Sequence, residues 1–136
     1  MKTFSLTIVT PDGLRFEGQA EELIVRTTGG DMGVLAGHTN CVAPLGMGKA
    51  TVIVAGEKRY GACIGGMVSV LEGSVRLVPT TFEWADQIDV TRAKASENRA
   101  KEILSDKTSS DTDIRLAEAR LKRSLIRQSV AAYKPK

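Results

Sequence analysis

All 13 glycines of this chain lie at or before Gly73, and none follows. Three of the four prolines, Pro11, Pro44 and Pro79, also fall before residue 80. Glycine supplies the φ > 0 positions of hairpin turns, and proline presets turn geometry. Their absence from the remainder leaves nothing to interrupt a helix. The 136 residues therefore divide into a turn-rich part, 1–84, and a breaker-poor part, 85–136.

The first part reads as short strands between turn signals. FSLTIV alternates from Phe4 to Val9, and PDG at 11–13 is a turn. AEELIVRTT follows, then GGDMG as a break, then a short apolar piece ending at AGH. NCVAPL, KATVIVA, EKRYGACI, GMVSVLE and SVRLVPT complete a series interrupted by glycines. Short period-two segments at this spacing predict a β-sandwich or barrel. A segment of this size can just enclose one sandwich core.

From Ile88 the pattern changes. DVTRAKASENRAKEILSD is dominated by good helix formers, with Asp86 or Asp89 available to cap its first turn. KTSSDTD is a polar turn in which Ser110 or Asp111 can cap a second helix. DIRLAEARLKRSLIRQSVAA then places Ile114, Ala117, Leu121 and Leu125 at helical spacing. Two helices of about 18 residues with a short loop predict an antiparallel hairpin. The expected fold is α+β: an N-terminal sandwich of about ten short strands, then a C-terminal two-helix hairpin.

Chemistry is excluded more readily than assigned. No run of about 18 apolar residues is present to span a bilayer, and MKTFSLTIVTPDG reads as a strand rather than a targeting segment. Cys41 and Cys63 lie in apolar surroundings and read as reduced core thiols. One histidine and two separated cysteines do not make a metal site. GGDMG and GACIGG lack the Lys-Ser/Thr of a phosphate-binding loop. His38, in AGHTN, reads as a turn residue, with partner contact as the rival reading. No nucleophile motif is present, so the chain is expected not to be an enzyme.

The net charge of +3 hides a split, with residues 1–84 at net −1 and residues 85–136 at net +4. On the first helix Arg92 and Arg99 lie two turns apart, about 10 Å along one stripe. On the second, Arg120, Arg123 and Arg127 follow i, i+3, i+7. Arginines on two facing helices can converge on a polyanion and bind phosphate bidentately. They can equally form a solvated basic face with pairs such as Glu118–Lys122. Nucleic acid is a third possibility, weakened by the lack of rings in the hairpin other than Tyr133.

GGDMGVLAGHTNCVAPL at 29–45 and IGGMVSV at 64–70, in a sandwich followed by a helical hairpin, resemble the ε subunit of bacterial F-type (rotary) ATP synthases end to end. The family's usual loop reads Gly-Glu-Leu-Gly-Ile-x-Pro-Gly-His. Asp31, Met32, Val34 and Ala36 stand here for its Glu, Leu, Ile and Pro. IDVTRA, Ile88 to Ala93, is similar to the motif of the ε subunits that bind ATP.

The resemblance implies a rotor subunit whose sandwich, 1–84, binds the γ subunit and the c-ring, with Asp31 and His38 toward those partners. It implies that Glu83, Ile88, Asp89, Arg92, Ala93, Arg99, Arg123 and Arg127 fall on ATP-site positions. ATP is then a regulatory ligand that is not hydrolysed, with Mg²⁺ as its candidate companion ion. The hairpin, 85–136, would be folded when ATP is bound and otherwise extend to the α/β catalytic subunits to inhibit hydrolysis. The implied location is the cytoplasmic face of the bacterial cell membrane, peripheral, with no insertion and no nucleic acid. The rivals are the same subunit with arginines used only for protein contacts, and a sandwich protein with a nucleic-acid-binding tail.

Overall fold

The computed structural model describes residues 2–133, so the last three positions of the expected hairpin segment lie outside it. The chain divides into two compact units, residues 1–84 and 85–136.

The first unit holds ten strands: β1 (Phe4–Thr10), β2 (Gly13–Ala20), β3 (Glu22–Thr27), β4 (Gly30–Leu35), β5 (Cys41–Pro44), β6 (Met47–Val54), β7 (Glu57–Ile64), β8 (Met67–Leu71), β9 (Ser74–Val78) and β10 (Thr81–Trp84). They form two five-stranded sheets, in the orders β2-β1-β9-β8-β5 and β10-β7-β6-β3-β4. Alternate residues point inward. Leu6 and Ile8 of β1, Leu23 and Val25 of β3, Val68 of β8 and Leu77 of β9 thus meet in one core. The pairs are antiparallel except β1 with β9, where Ser5 to Ile8 run parallel to Ser74 to Leu77. GGDMG is not a break in the ladder. Its residues open β4, with Gly30 opposite Thr27 and Asp31 opposite Arg26.

Two hairpin turns use a non-glycine residue at positive φ, Ala55 (φ 50) before Gly56 and Glu72 (φ 48) before Gly73. Paired positive φ values are the signature of the tight turn that matches strand twist. Glu72 is held there reciprocally: its N–H donates to Asn40 Oδ1 and Asn40 Nδ2 donates to its carboxylate, both at 2.9 Å. Trp84 closes the last strand with its ring edge-on to Phe82, 4.9 Å between centroids. Its Nε1 donates to the Arg15 carbonyl at 3.2 Å, and the Arg59 guanidinium lies 3.8 Å from its ring.

The second unit begins with a 3₁₀ turn (Ala85–Gln87), followed by α1 (Val90–Ser105) and α2 (Asp111–Ala131), which pack on one another. Of the two possible first caps Asp89 is used, its carboxylate accepting from the Arg92 N–H at 2.9 Å. Ser110 caps α2 in a reciprocal box with Asp113. In the loop, Asp106 accepts from the Thr108 N–H and hydroxyl, which holds its carboxyl below the ordinary value.

The buried face of α2 differs from the expected one. Ala117 is buried, but Leu125 is 46% exposed and Ile114 and Leu121 are only half-buried. Ala117, Ser124, Val130 and Ala131 are the residues removed from water. Three of the four are small, and none is a leucine. The Ser124 hydroxyl donates to the Leu121 carbonyl at 2.8 Å, so its burial leaves no polar atom unsatisfied.

Candidate functional site

The arginine stripes fall beside the buried faces of their helices. Arg92 and Arg99 are exposed, and their chain neighbours Ala93 and Ala100 are buried. On α2, Arg123 and Arg127 are half-buried on either side of the Ser124 position. Among the described residues, Arg92, Arg99 and Arg123 form no ion pair, and the envisaged Glu118–Lys122 pair is not made. Three guanidinium groups are therefore free to take an anion.

The other expected positions are placed differently. Ile88 is half-buried immediately before the cap, and Asp89 is engaged by the backbone of its own helix. Ala93 is 5% exposed, so its methyl group serves packing. Glu83 belongs to the sandwich unit, half-buried on β10 opposite Ala62 of β7. Asp31 is exposed and pairs with Arg26 across the β3–β4 ladder at 3.3 Å. His38 is a turn residue: its N–H donates to the Leu35 carbonyl at 3.2 Å, and Nδ1 lies 2.8 Å from the Thr39 carbonyl.

The thiols are free, Cys63 in the core and Cys41 only half-buried. Burial pushes the Cys63 thiol up to about 12, which keeps it protonated and unreactive at neutral pH.

Sequence reasoning missed Glu97. Its side chain is 5% exposed, yet three donors meet it: Lys101 Nζ at 2.6 Å, Gln128 Nε2 at 2.8 Å and Lys94 Nζ at 3.3 Å. The signal was its position four residues after Ala93 and three before Ala100, on the stripe that α1 buries. The Lys101 and Gln128 hydrogen bonds, with Lys94 adding to them, hold its carboxyl down to about 2 against the desolvation that opposes them. A carboxyl depressed in the folded state favours folding above its unfolded value of 4.5 and loses that contribution as pH falls toward 2. Melting followed by helical circular dichroism should therefore drop more for the wild type than for Glu97→Gln between about pH 5 and pH 2.5. Equal drops would assign the acid sensitivity to other carboxyls.

The profile described as "ATP synthase, Delta/Epsilon chain, beta-sandwich domain" matches residues 3–85, and "ATP synthase, Delta/Epsilon chain, long alpha-helix domain" matches 86–132. The ATP synthase epsilon chain of Bacillus pumilus is 40% identical over 131 residues, covering 96% of this chain and 98% of that one. That of Ruminococcus albus is 42% identical over 135 residues, covering 98% and 100%. Among solved structures, a chain of the Euglena gracilis mitochondrial ATP synthase, described with OSCP, F1 and the c-ring, superposes with a TM-score of 0.81 at 23% identity. That superposition covers 97% of this chain and 82% of the other, and at this identity it bears on fold alone.

Proposed function

The chain belongs to the ATP synthase delta/epsilon chain family, as a non-catalytic ε-type subunit, and from that premise we propose that it is a rotor subunit whose helical hairpin senses ATP. The sandwich joins the γ subunit to the c-ring. The hairpin, when extended, meets the α/β catalytic subunits and inhibits ATP hydrolysis, and ATP favours the folded form. The assembly places the chain peripherally at the cytoplasmic face of the bacterial membrane. Among the described residues no helix is long and apolar enough to cross a membrane.

The observation that carries the nucleotide reading is the set of unpaired arginines, Arg92 and Arg99 on α1 and Arg123 on α2. The bond between Glu97 and Gln128 sets the helix segments bearing Arg99 and Arg127 side by side. In the proposed complex these four arginines take the phosphates and Ile88 offers apolar contact to the base. Asp89 fixes the helix start from which Arg92 projects. Mg²⁺, where it accompanies ATP, is held chiefly by phosphates and water.

The docking half is supported by the outer face of β5, β8 and β9. Pro44, Met67 and Val78 are aligned across three strands, with Val42 and Leu71 beside them. Val42 is 66% exposed and Leu71 64%, and exposed apolar groups of this kind mark protein contacts.

ATP at 100 times its dissociation constant would favour the form that binds it by about 2.7 kcal/mol. A swing from 1:99 to 99:1 needs about 5.5 kcal/mol, so ATP would bias the switch without being its sole control. The test is calorimetric titration of the full chain with ATP, ADP and GTP, because Trp84 is buried beneath Arg59 and makes a poor reporter of the hairpin. Saturable ATP binding, weaker for ADP, should fall roughly 10- to 100-fold in Arg92→Ala, the loss of one charge-assisted contact. Absent heat with ATP, or wild-type affinity in the variant, would leave the arginines as contacts to other subunits.

A further inference from the structure

The residues that α1 and α2 remove from water are mostly small. Besides Glu97 and Val130 they are Ala93 and Ala100 on α1, and Ala117, Ser124 and Ala131 on α2. Both sets repeat every seven residues. Small residues permit close approach of two helices but give little shape by which one turn differs from the next. A stripe with a seven-residue period therefore packs comparably after a slide along the axis. The five-residue loop, 106–110, tethers one end only. Unwinding two turns at that end would allow a slide of one repeat, about 10.5 Å.

What distinguishes the observed alignment is directional. Gln128 Nε2 donates to Glu97 Oε1 at 2.8 Å, while Lys101 Nζ engages Oε2 at 2.6 Å. Both carboxylate oxygens of a buried side chain are thus occupied. After a seven-residue slide of α2 away from the loop, the Gln128 position would be filled by Leu121. A leucine side chain carries no N–H donor. Glu97 would keep Lys94 and Lys101 of its own helix but lose its cross-helix donor, leaving one hydrogen bond of a buried carboxylate unreplaced.

We infer that Glu97 and Gln128 are the register-setting pair of the hairpin. Their bond selects one alignment of α2 on α1 from several that the small-residue stripes would accept. The same bond fixes which α1 side chains lie across from Arg127, the chain neighbour of Gln128. The inference does not depend on nucleotide binding and is tested without it.

The experiment is an exchange of the two groups, read by the distance between spin labels in the full chain. Labels go on cysteines introduced at the exposed positions Glu102 and Lys122, in a Cys41→Ser background with Cys63 left in the core. The wild type should give one narrow distance. Gln128→Glu, which sets two carboxylates together, should shift or split it by up to about 10 Å, one seven-residue repeat. Adding Glu97→Gln restores a carboxylate–amide pair with the roles exchanged, and the single distance should return. Gln128→Leu, which removes the donor without adding charge, should broaden the distribution with helical content intact. An unchanged distance in Gln128→Glu and Gln128→Leu, or failure of the exchange to restore it, would overturn the inference.

Discussion

Gly66→Ala is expected to destabilise the sandwich by about 4 kcal/mol, the sum of backbone strain and a steric clash. Gly66 sits between β7 and β8 at φ +92, a conformation that L side chains rarely adopt. A methyl group there would overlap the Val78 carbonyl oxygen and lie 2.7 Å from Pro79 Cα. Both obstacles are backbone, so no rotamer change relieves them. The Gly66 carbonyl also accepts from the Leu45 N–H at 2.8 Å, and the adjacent Gly65 N–H donates to the Gly46 carbonyl at 3.0 Å. Displacement of Gly66 would therefore pull on the β5–β6 junction as well.

Small domains are stable by only about 5–15 kcal/mol, so a loss of about 4 kcal/mol removes roughly a quarter to four-fifths of that margin. Trp84, the single tryptophan and part of the sandwich core, reports this unit selectively in urea. Gly33→Ala is the control, since Gly33 has ordinary φ and open space around its Cα. Similar urea midpoints for the two variants would refute the steric argument.

The hairpin should be equally intolerant of size. Ala100→Leu introduces a bulky side chain where the native residue is fully buried, and overpacking costs about 1–3 kcal/mol. For two helices of this length, whose stability comes from packing one apolar face, that is enough to separate them. Amide exchange along α1 and α2 should accelerate, while the Trp84 transition in urea stays where it is. Ala95→Leu, at an exposed position of the same helix, should leave both unchanged. Slow exchange retained in Ala100→Leu would mean that the helices yield room without separating. In the proposed sensor, ATP affinity should decline together with exchange protection.

The strands and the helix caps were readable because their causes are local. Gly56 and Gly73 mark the hairpin turns, and Asp89 and Ser110 stand where an orphan N–H needs an acceptor. Other features have no local cause. A search for large apolar residues selects Leu121 and Leu125. The helix instead buries Ser124, which behaves as a small residue once its hydroxyl is bonded to its own backbone.

Glu97 looks like a surface charge until Lys94, Lys101 and Gln128 are seen around it. The arginine stripes were legible in their spacing, whereas the lack of acidic partners for Arg92, Arg99 and Arg123 among the described residues needed coordinates. Asp86 and Asp89 were both legible as caps of α1, and only the folded backbone decides for Asp89.

The parallel pairing of β1 with β9 also bears on the order in which the chain is made. β1 is synthesised before every other strand of the sandwich, and its neighbour on one side is β9, residues 74–78. Until those residues leave the ribosome, the nascent sandwich can form the β1–β2 hairpin but must leave the far edge of β1 unpaired. An open strand edge on an unfinished sheet is a template for pairing with other chains. The late closure also gives the domain long-range contacts that slow folding. Because β9 and β10 precede the helices, the whole sandwich can finish folding while the hairpin is still being translated.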